Sequence, residues 1–151
     1  AEDLLAQANA SVQDITTDEL ATLIEQDPNV AVVDIRTRRE AWLVGGSIDA
    51  PRHLDIPRGW LEFRIETSVP DRDTPVAVYC GTNQRSPLAA ATLADMGYTK
   101  VFNYAEGFSA WRDAGLPVAH QDQAPESMLY RRPEQVTDGM WSAIGATGPP
   151  T

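Results

Sequence analysis

The chain has 151 residues, 42% of them hydrophobic and 23% charged, and a formal net charge of −10. This length suits one domain whose core needs no disulfide or metal to hold it together. The acidic balance argues against nucleic acid and anionic membrane surfaces as partners, since both attract clustered Lys and Arg.

The single cysteine, Cys80, excludes an internal disulfide and a multi-thiolate metal site. His53 and His120 lie far apart without the spacing of metal ligands, so we predict no bound metal. No apolar run approaches the roughly 20 residues of a membrane span, and we expect no membrane partner. The chain starts at Ala1 rather than Met, which leaves export after signal-peptide removal and a cytoplasmic location both open.

Short apolar strands alternate with helical segments along the chain. Strands are predicted at 11–15, 30–35, 48–56, 74–80 and 100–104. Helices are predicted at 18–24, 38–44, 57–65, 87–96 and 106–115. This alternation favours an α/β fold with a central, mostly parallel sheet and helices on both faces. We divide the chain into an N-terminal arm (1–11), a single domain (12–120) and a C-terminal tail or linker (121–151).

Cys80 ends the apolar strand 74–80, and parallel sheets bind ligands beyond the carboxyl ends of their strands. A polar loop leads from it to the next helix, and its residues are the candidates for anion binding: Gly81, Thr82, Asn83, Gln84, Arg85 and Ser86. We expect the backbone N–H groups of this loop to point at the sulfur and favour its thiolate. Ser86 is expected to cap the helix or to reach the sulfur. This interpretation requires a sulfur open to solvent; a buried structural thiol is the alternative.

The loop Cys-Gly-Thr-Asn-Gln-Arg-Ser resembles the Cys-x-x-Gly-x-Arg-Ser/Thr active-site loop of rhodanese-like sulfurtransferases, with Cys80, Arg85 and Ser86 in register. Three further segments resemble family segments in the same order, and they begin at Val33, Gly46 and Glu106. The resemblance spans residues 12–118. It implies the rhodanese-like fold, a single domain with a mostly parallel sheet between two layers of helices.

The resemblance also implies sulfur transfer in two steps. The Cys80 thiolate takes the outer sulfur of a small donor such as thiosulfate and becomes a persulfide. A thiophilic acceptor such as cyanide or a thiol then removes that sulfur, and no dissociable cofactor takes part. Asn83 stands where the family has a loop glycine, and Asn tolerates the left-handed backbone that such a glycine adopts.

Four residues elsewhere are candidates for supporting the loop or lining the substrate mouth. Asp34 either accepts hydrogen bonds from the loop or caps the turn that follows its own strand. Arg36 has helical spacing to Glu40, which favours an ordinary surface pair over loop support. Arg52 and His53 bring positive groups into an acidic chain, and solvated loop positions are favoured over the substrate mouth for both.

Two other functions compete with sulfur transfer. Cysteine phosphatases use Cys-x5-Arg, whereas Cys80 and Arg85 have four residues between them; the tighter loop suits a single sulfur atom better than a phosphate. A non-catalytic carrier or regulatory module would take up sulfur without passing it to a small acceptor.

The tail carries a separate resemblance. Residues 136–150, Val-Thr-Asp-Gly-Met-Trp-Ser-Ala-Ile-Gly-Ala-Thr-Gly-Pro-Pro, resemble the first strand of metallo-β-lactamase-fold hydrolases, some of which are fused to rhodanese domains. This implies a fusion to a further domain through the tail. The alternative is a tail packed on its own domain or on a partner.

Overall fold

The structure is a computed structural model that describes residues 12–120. The predicted N-terminal arm and C-terminal tail, with the metallo-β-lactamase resemblance, therefore lie outside the described residues. Seven strands are present: β1 (Gln13–Ile15), β2 (Ala31–Asp34), β3 (Ser47–Ile48), β4 (His53–Asp55), β5 (Val76–Tyr79), β6 (Val101–Tyr104) and β7 (Val118–Ala119). The helices are α1 (Thr17–Gln26), α2 (Arg38–Leu43), α3 (Leu61–Ser68), α4 (Ser86–Asp95) and α5 (Gly107–Asp113), and a 3-10 turn at Arg58–Trp60 precedes α3.

Five strands form the central sheet in the order β1-β6-β5-β2-β4, and every neighbouring pair is parallel. Of the three inner strands, β2 and β5 are buried at every residue, as expected for apolar strands covered on both faces. Strand β5 lies in the middle, so the loop that follows it emerges at the centre of the sheet's carboxyl edge. The predicted α/β fold with a mostly parallel sheet is confirmed.

The helices pack on both faces of this sheet. On one face, α3 and α4 bury Leu61, Ile65 and Leu93 against the strands. On the other face, α1 and α5 contribute Leu20 and Phe108 to a second core cluster. None of the helices within residues 12–120 has the length and apolar character needed to cross a bilayer.

Local signals explain where the helices begin. Thr16 caps α1 and Thr37 caps α2, each in a capping box with a glutamate three residues later. Helix α1 therefore starts one residue before the predicted 18. Helix α3 starts later than the predicted 57, because Pro57 opens the 3-10 turn rather than the helix itself.

The segment predicted as one irregular strand, 48–56, is divided in two. Its first part, β3, pairs antiparallel with β7 in a separate two-stranded sheet, while β4 joins the edge of the main sheet. Pro51 lies in the turn between them. Strands of two residues carry too little pattern to be predicted from sequence.

Candidate active site around Cys80

Cys80 directly follows β5, at the carboxyl edge of the sheet. Neighbouring residues of a strand face opposite sides, so Cys80 points to the α3–α4 face and Tyr79 to the other. The thiol is buried, with 1% of the residue exposed, and Sγ donates a hydrogen bond to the Thr82 carbonyl. The expectation of an open sulfur is therefore wrong for this conformation, and the alternative of a buried thiol fits it: Cys80 belongs to the core cluster on this face, and the Thr82 carbonyl bonds its sulfur.

The orientation of the loop peptides also differs from expectation. The Thr82 carbonyl accepts from both the thiol and the Gln84 amide, the latter at 2.6 Å. No backbone N–H within residues 12–120 donates to Sγ, so the expected ring of amides is not formed in this arrangement. Residues 82–85 are exposed to solvent.

Arg85 forms a two-point ion pair with Glu40 across the loop, at 3.0 and 2.6 Å. The hydrogen bond from Arg85 lowers the pKa of Glu40, and the same bond raises the pKa of Arg85 despite partial desolvation. The negative charge of a Cys80 thiolate adds to the rise in the Arg85 pKa. Arg85 is therefore charged, close to the sulfur, and held by helix α2.

Asn83 is tied to the sheet by its side chain. Its Oδ1 accepts a hydrogen bond of 2.9 Å from Nδ2 of Asn103 on β6, and the same nitrogen donates to Asp14 on β1. Asn103 is fully buried. No residue other than glycine has a positive φ within 12–120, so the loop closes without the left-handed backbone expected at Asn83.

Ser86 is the first residue of α4 and is fully buried. Arg85 occupies the N-cap position and makes no side-chain cap bond, so Ser86 does not cap the helix. Among the described residues, Ser86 Oγ has no hydrogen-bond partner. A buried hydroxyl without a partner next to the loop leaves one donor available for a ligand.

Asp34 and Arg36 form a buried ion pair on the other face of the sheet. Arg36 Nε and Nη2 donate to the Asp34 carboxylate at 2.9 and 2.8 Å, and the Arg36 backbone amide donates to it as well. Burial acts to raise the pKa of Asp34, but the hydrogen bonds and charge of Arg36, with help from Arg38, keep that pKa below its usual value.

Two expectations are settled by this pair. Asp34 caps the turn after its own strand and makes no hydrogen bond to residues 80–86. The interpretation of Arg36 and Glu40 as a surface pair is wrong: Arg36 is 1% exposed and lies before α2 begins, so it has no helical register with Glu40. Its guanidinium stacks 4.4 Å from the centre of the Phe108 ring instead.

Arg52 and His53 do not hydrogen-bond to the loop either. Arg52 bonds Asn29 and the Ser68 carbonyl at the amino edge of the sheet, opposite Cys80. His53 Nε2 lies 2.8 Å from the Tyr79 hydroxyl, and burial lowers the pKa of its ring although Asp55 and Asp34 oppose this. The favoured alternative, a solvated loop position, fits Arg52 in the turn before β4 but is wrong for His53, which lies in β4 with its side chain 13% exposed.

Ligand atoms of Asp34, His53 and Asp55 come within 4.8 Å of one another. Arg38 bonds both carboxylates, at 3.2 and 2.7 Å, which supplies the positive charge that a cation would otherwise bring. The geometry describes an ion-pair network.

Two residues at the start of α5 contact the loop and were not singled out from sequence. The Phe108 amide at the start of α5 donates to the Cys80 carbonyl at 3.0 Å, and Gly107 lies against the Cys80–Gly81 peptide. The sequence signal was the segment starting at Glu106, which we matched only as a family motif.

Comparisons with known proteins agree on one family. The model of the rhodanese-like domain matches residues 16–114. A sulfurtransferase of Allochromatium vinosum is 35% identical over 115 residues, which cover 76% of this chain and 98% of that protein.

Two solved structures are similar to the described domain. One is the homodimeric polysulfide-sulfur transferase of Wolinella succinogenes, with 26% identity and a TM-score of 0.71 over 81% of this chain and 88% of that one. The other, from Rhodopseudomonas palustris, is a protein of unknown function and possible tyrosine phosphatase, with 37% identity and a TM-score of 0.67 over 78% and 92% of the two chains.

Proposed function

The chain belongs to the rhodanese-like domain family, and on that premise we propose that it transfers a sulfane sulfur through a persulfide on Cys80. The observation that carries the proposal is the position of Cys80. The thiol stands at the carboxyl end of the central strand, with Arg85 and Ser86 following it as in the family's active-site loop.

In the first half-reaction, the Cys80 thiolate attacks the outer sulfur of thiosulfate. A new S–S bond forms to Cys80, and the bond within thiosulfate breaks as sulfite leaves with its electron pair. Arg85 supplies the positive charge that attracts the dianionic donor. In the second half-reaction, cyanide attacks the terminal sulfur, thiocyanate leaves, and Cys80 returns to the thiolate.

The loop must change conformation for this to occur. With the Thr82 carbonyl facing the sulfur, an anion on Cys80 meets a negative dipole, and solvent does not reach it. Rotation of the exposed peptides between Thr82 and Arg85 replaces that carbonyl with N–H donors, which stabilise the thiolate and the persulfide. We propose the observed arrangement as the resting, closed form of the loop.

Intact-mass spectrometry after incubation with thiosulfate tests the chemistry. We expect wild type to gain one sulfur atom and Cys80→Ser to gain none, and we expect cyanide to remove the added sulfur as thiocyanate. A polysulfide serves as a second donor, since the Wolinella succinogenes relative is a polysulfide-sulfur transferase. No gain with either donor contradicts the proposal, and a gain that cyanide never removes favours a carrier.

A phosphatase is the second candidate, because of the likeness to the possible tyrosine phosphatase of Rhodopseudomonas palustris. Against it, the loop has one residue fewer between Cys80 and Arg85 than phosphatases use. Hydrolysis of p-nitrophenyl phosphate by wild type but not by Cys80→Ser, without sulfur uptake, would favour this second function.

A further inference from the structure

The start of α5 touches the beginning of the Cys80 loop without any side chain between them. A Cβ atom placed on Gly107 would lie 2.4 Å from the Gly81 carbonyl oxygen and 3.0 Å from that of Cys80. Both are backbone atoms, so a side chain at position 107 cannot be accommodated by a rotamer change. Gly107 also has a φ of +78°, a backbone conformation that favours glycine.

Helix α5 is not free to move away from this contact. Phe108 is fully buried and packs against the Arg36 guanidinium, and its amide is bonded to the Cys80 carbonyl. Trp111 is buried as well, and its indole N–H donates to the Pro117 carbonyl at 2.7 Å. Since two buried aromatic residues hold the helix, a larger residue at 107 has to displace the Cys80–Gly81 peptide.

The glycine inside the loop has a different environment. A Cβ on Gly81 would meet no atom within 4 Å, and its φ is not positive. The backbone contact that requires a glycine is therefore made by Gly107, which lies outside the loop, 27 positions after Cys80.

We propose that Gly107 is a positioning residue for sulfur transfer. Because Gly107 has no side chain, the Cys80–Gly81 peptide packs directly against the start of α5. This contact determines the position of Sγ and of the loop that follows. The expected effect of Gly107 on sulfur transfer rests on the proposed function. The expected effect of Gly107 on the position of the thiol does not depend on that function.

Gly107→Ala tests this, with Gly115→Ala as the matched control. Gly115 follows the same helix and has nearly the same φ, +74°, but a Cβ there would meet no atom within 4 Å. The control therefore introduces the same backbone strain without the contact. Both variants and wild type are compared by the rate of Cys80 alkylation with iodoacetamide between about pH 5 and pH 10, and by sulfur transfer from thiosulfate to cyanide.

We expect the alkylation rate of Gly107→Ala to differ from wild type by more than threefold, since the displaced peptide changes access to Sγ. Its kcat/KM for transfer should fall at least tenfold, while Gly115→Ala stays within threefold of wild type in both measurements. Alkylation of Gly107→Ala within threefold of wild type overturns the proposal, as does an equal change in Gly115→Ala or unchanged transfer.

Circular dichroism at 25 °C covers the case of a folding defect. If Gly107→Ala is unfolded while Gly115→Ala is folded, the Cys80 loop does not shift to accommodate the new side chain. Gly107 is then required for folding, and the proposal is wrong. Should wild type transfer no sulfur at all, the proposed function fails, but the alkylation comparison still decides whether Gly107 positions the thiol.

Discussion

Glu40 and Arg85 connect helix α2 to the Cys80 loop by two hydrogen bonds, although 45 positions separate them in the chain. The same carboxylate accepts the Thr37 amide in the capping box of α2. An anionic donor that approaches the loop therefore competes with the Glu40 carboxylate for the Arg85 guanidinium. Glu40 is exposed enough, at 41%, to be replaced without opening the core.

Glu40→Gln should strengthen the binding of thiosulfate. Gln keeps the capping box, but it removes the negative charge beside Arg85. Exposed ion pairs contribute about 0.2–1 kcal/mol, which corresponds to a fall in KM for thiosulfate of roughly 1.5- to 5-fold. Glu62→Gln, which breaks the pair between Arg58 in the 3-10 turn and Glu62 on α3, is the control and should leave KM unchanged. An unchanged KM in Glu40→Gln contradicts this role of the pair.

The Glu40–Arg85 pair should also make the free energy of unfolding depend on pH. Its hydrogen bond lowers the folded pKa of Glu40 below the ordinary value of 4.5. The contribution of the pair is therefore complete above that ordinary pKa and is lost as pH falls through the lowered one. We expect the difference in urea midpoint between wild type and Glu40→Gln to be present well above the ordinary pKa of 4.5 and to shrink as pH falls below it. A difference that persists at low pH excludes the pair as its source.

Asp34→Asn should destabilise the fold strongly. The substitution leaves the buried Arg36 charge without its carboxylate, and breaking such a pair costs about 3–5 kcal/mol. Asp55→Asn removes a carboxylate that is 42% exposed and should cost less than about 1 kcal/mol. Urea unfolding gives the free energy of unfolding of both variants. If Asp34→Asn loses no more stability than Asp55→Asn, the Asp34 carboxylate is not what stabilises the buried Arg36 charge.

Asn103→Ala should loosen the loop while the sheet stays intact. The variant removes the hydrogen bonds to Asn83 and Asp14, a loss of about 1–3 kcal/mol. We expect faster amide hydrogen exchange at residues 82–85, measured by mass spectrometry. Asn29→Ala removes an exposed amide that binds Arg52 at the opposite edge and should not alter exchange in the loop. Equal exchange in both variants means that Asn103 does not restrain the loop.

Sequence pattern predicted the five helices and strands β1, β2, β5 and β6, because the inner strands are apolar runs between helical segments, but it merged β3 with β4 and did not include β7. Cys80 was identified because strand, polar loop and helix start follow one another within a dozen positions. Local pattern of this kind also implies the edge of the sheet at which the loop emerges.

Contacts between distant positions could not be predicted in the same way. Helical spacing paired Glu40 with Arg36, but the helix starts after Arg36, and the observed partner, Arg85, lies in another element. The orientation of the Thr82 peptide has no sequence signature, because turning a peptide exchanges its carbonyl and N–H without changing any residue. Gly107 differs from other glycines only through what lies opposite its backbone.

The loop has two anchored ends and an exposed middle: Cys80 and Ser86 are buried, whereas residues 82–85 face solvent. Within residues 12–120 the side chains of Thr82 and Gln84 make no hydrogen bond, whereas Asn83 bonds Asn103 and Arg85 bonds Glu40. Replacing Thr82 and Gln84 while Asn83 and Arg85 are kept is therefore a direct route to an altered choice of donor on an unaltered domain.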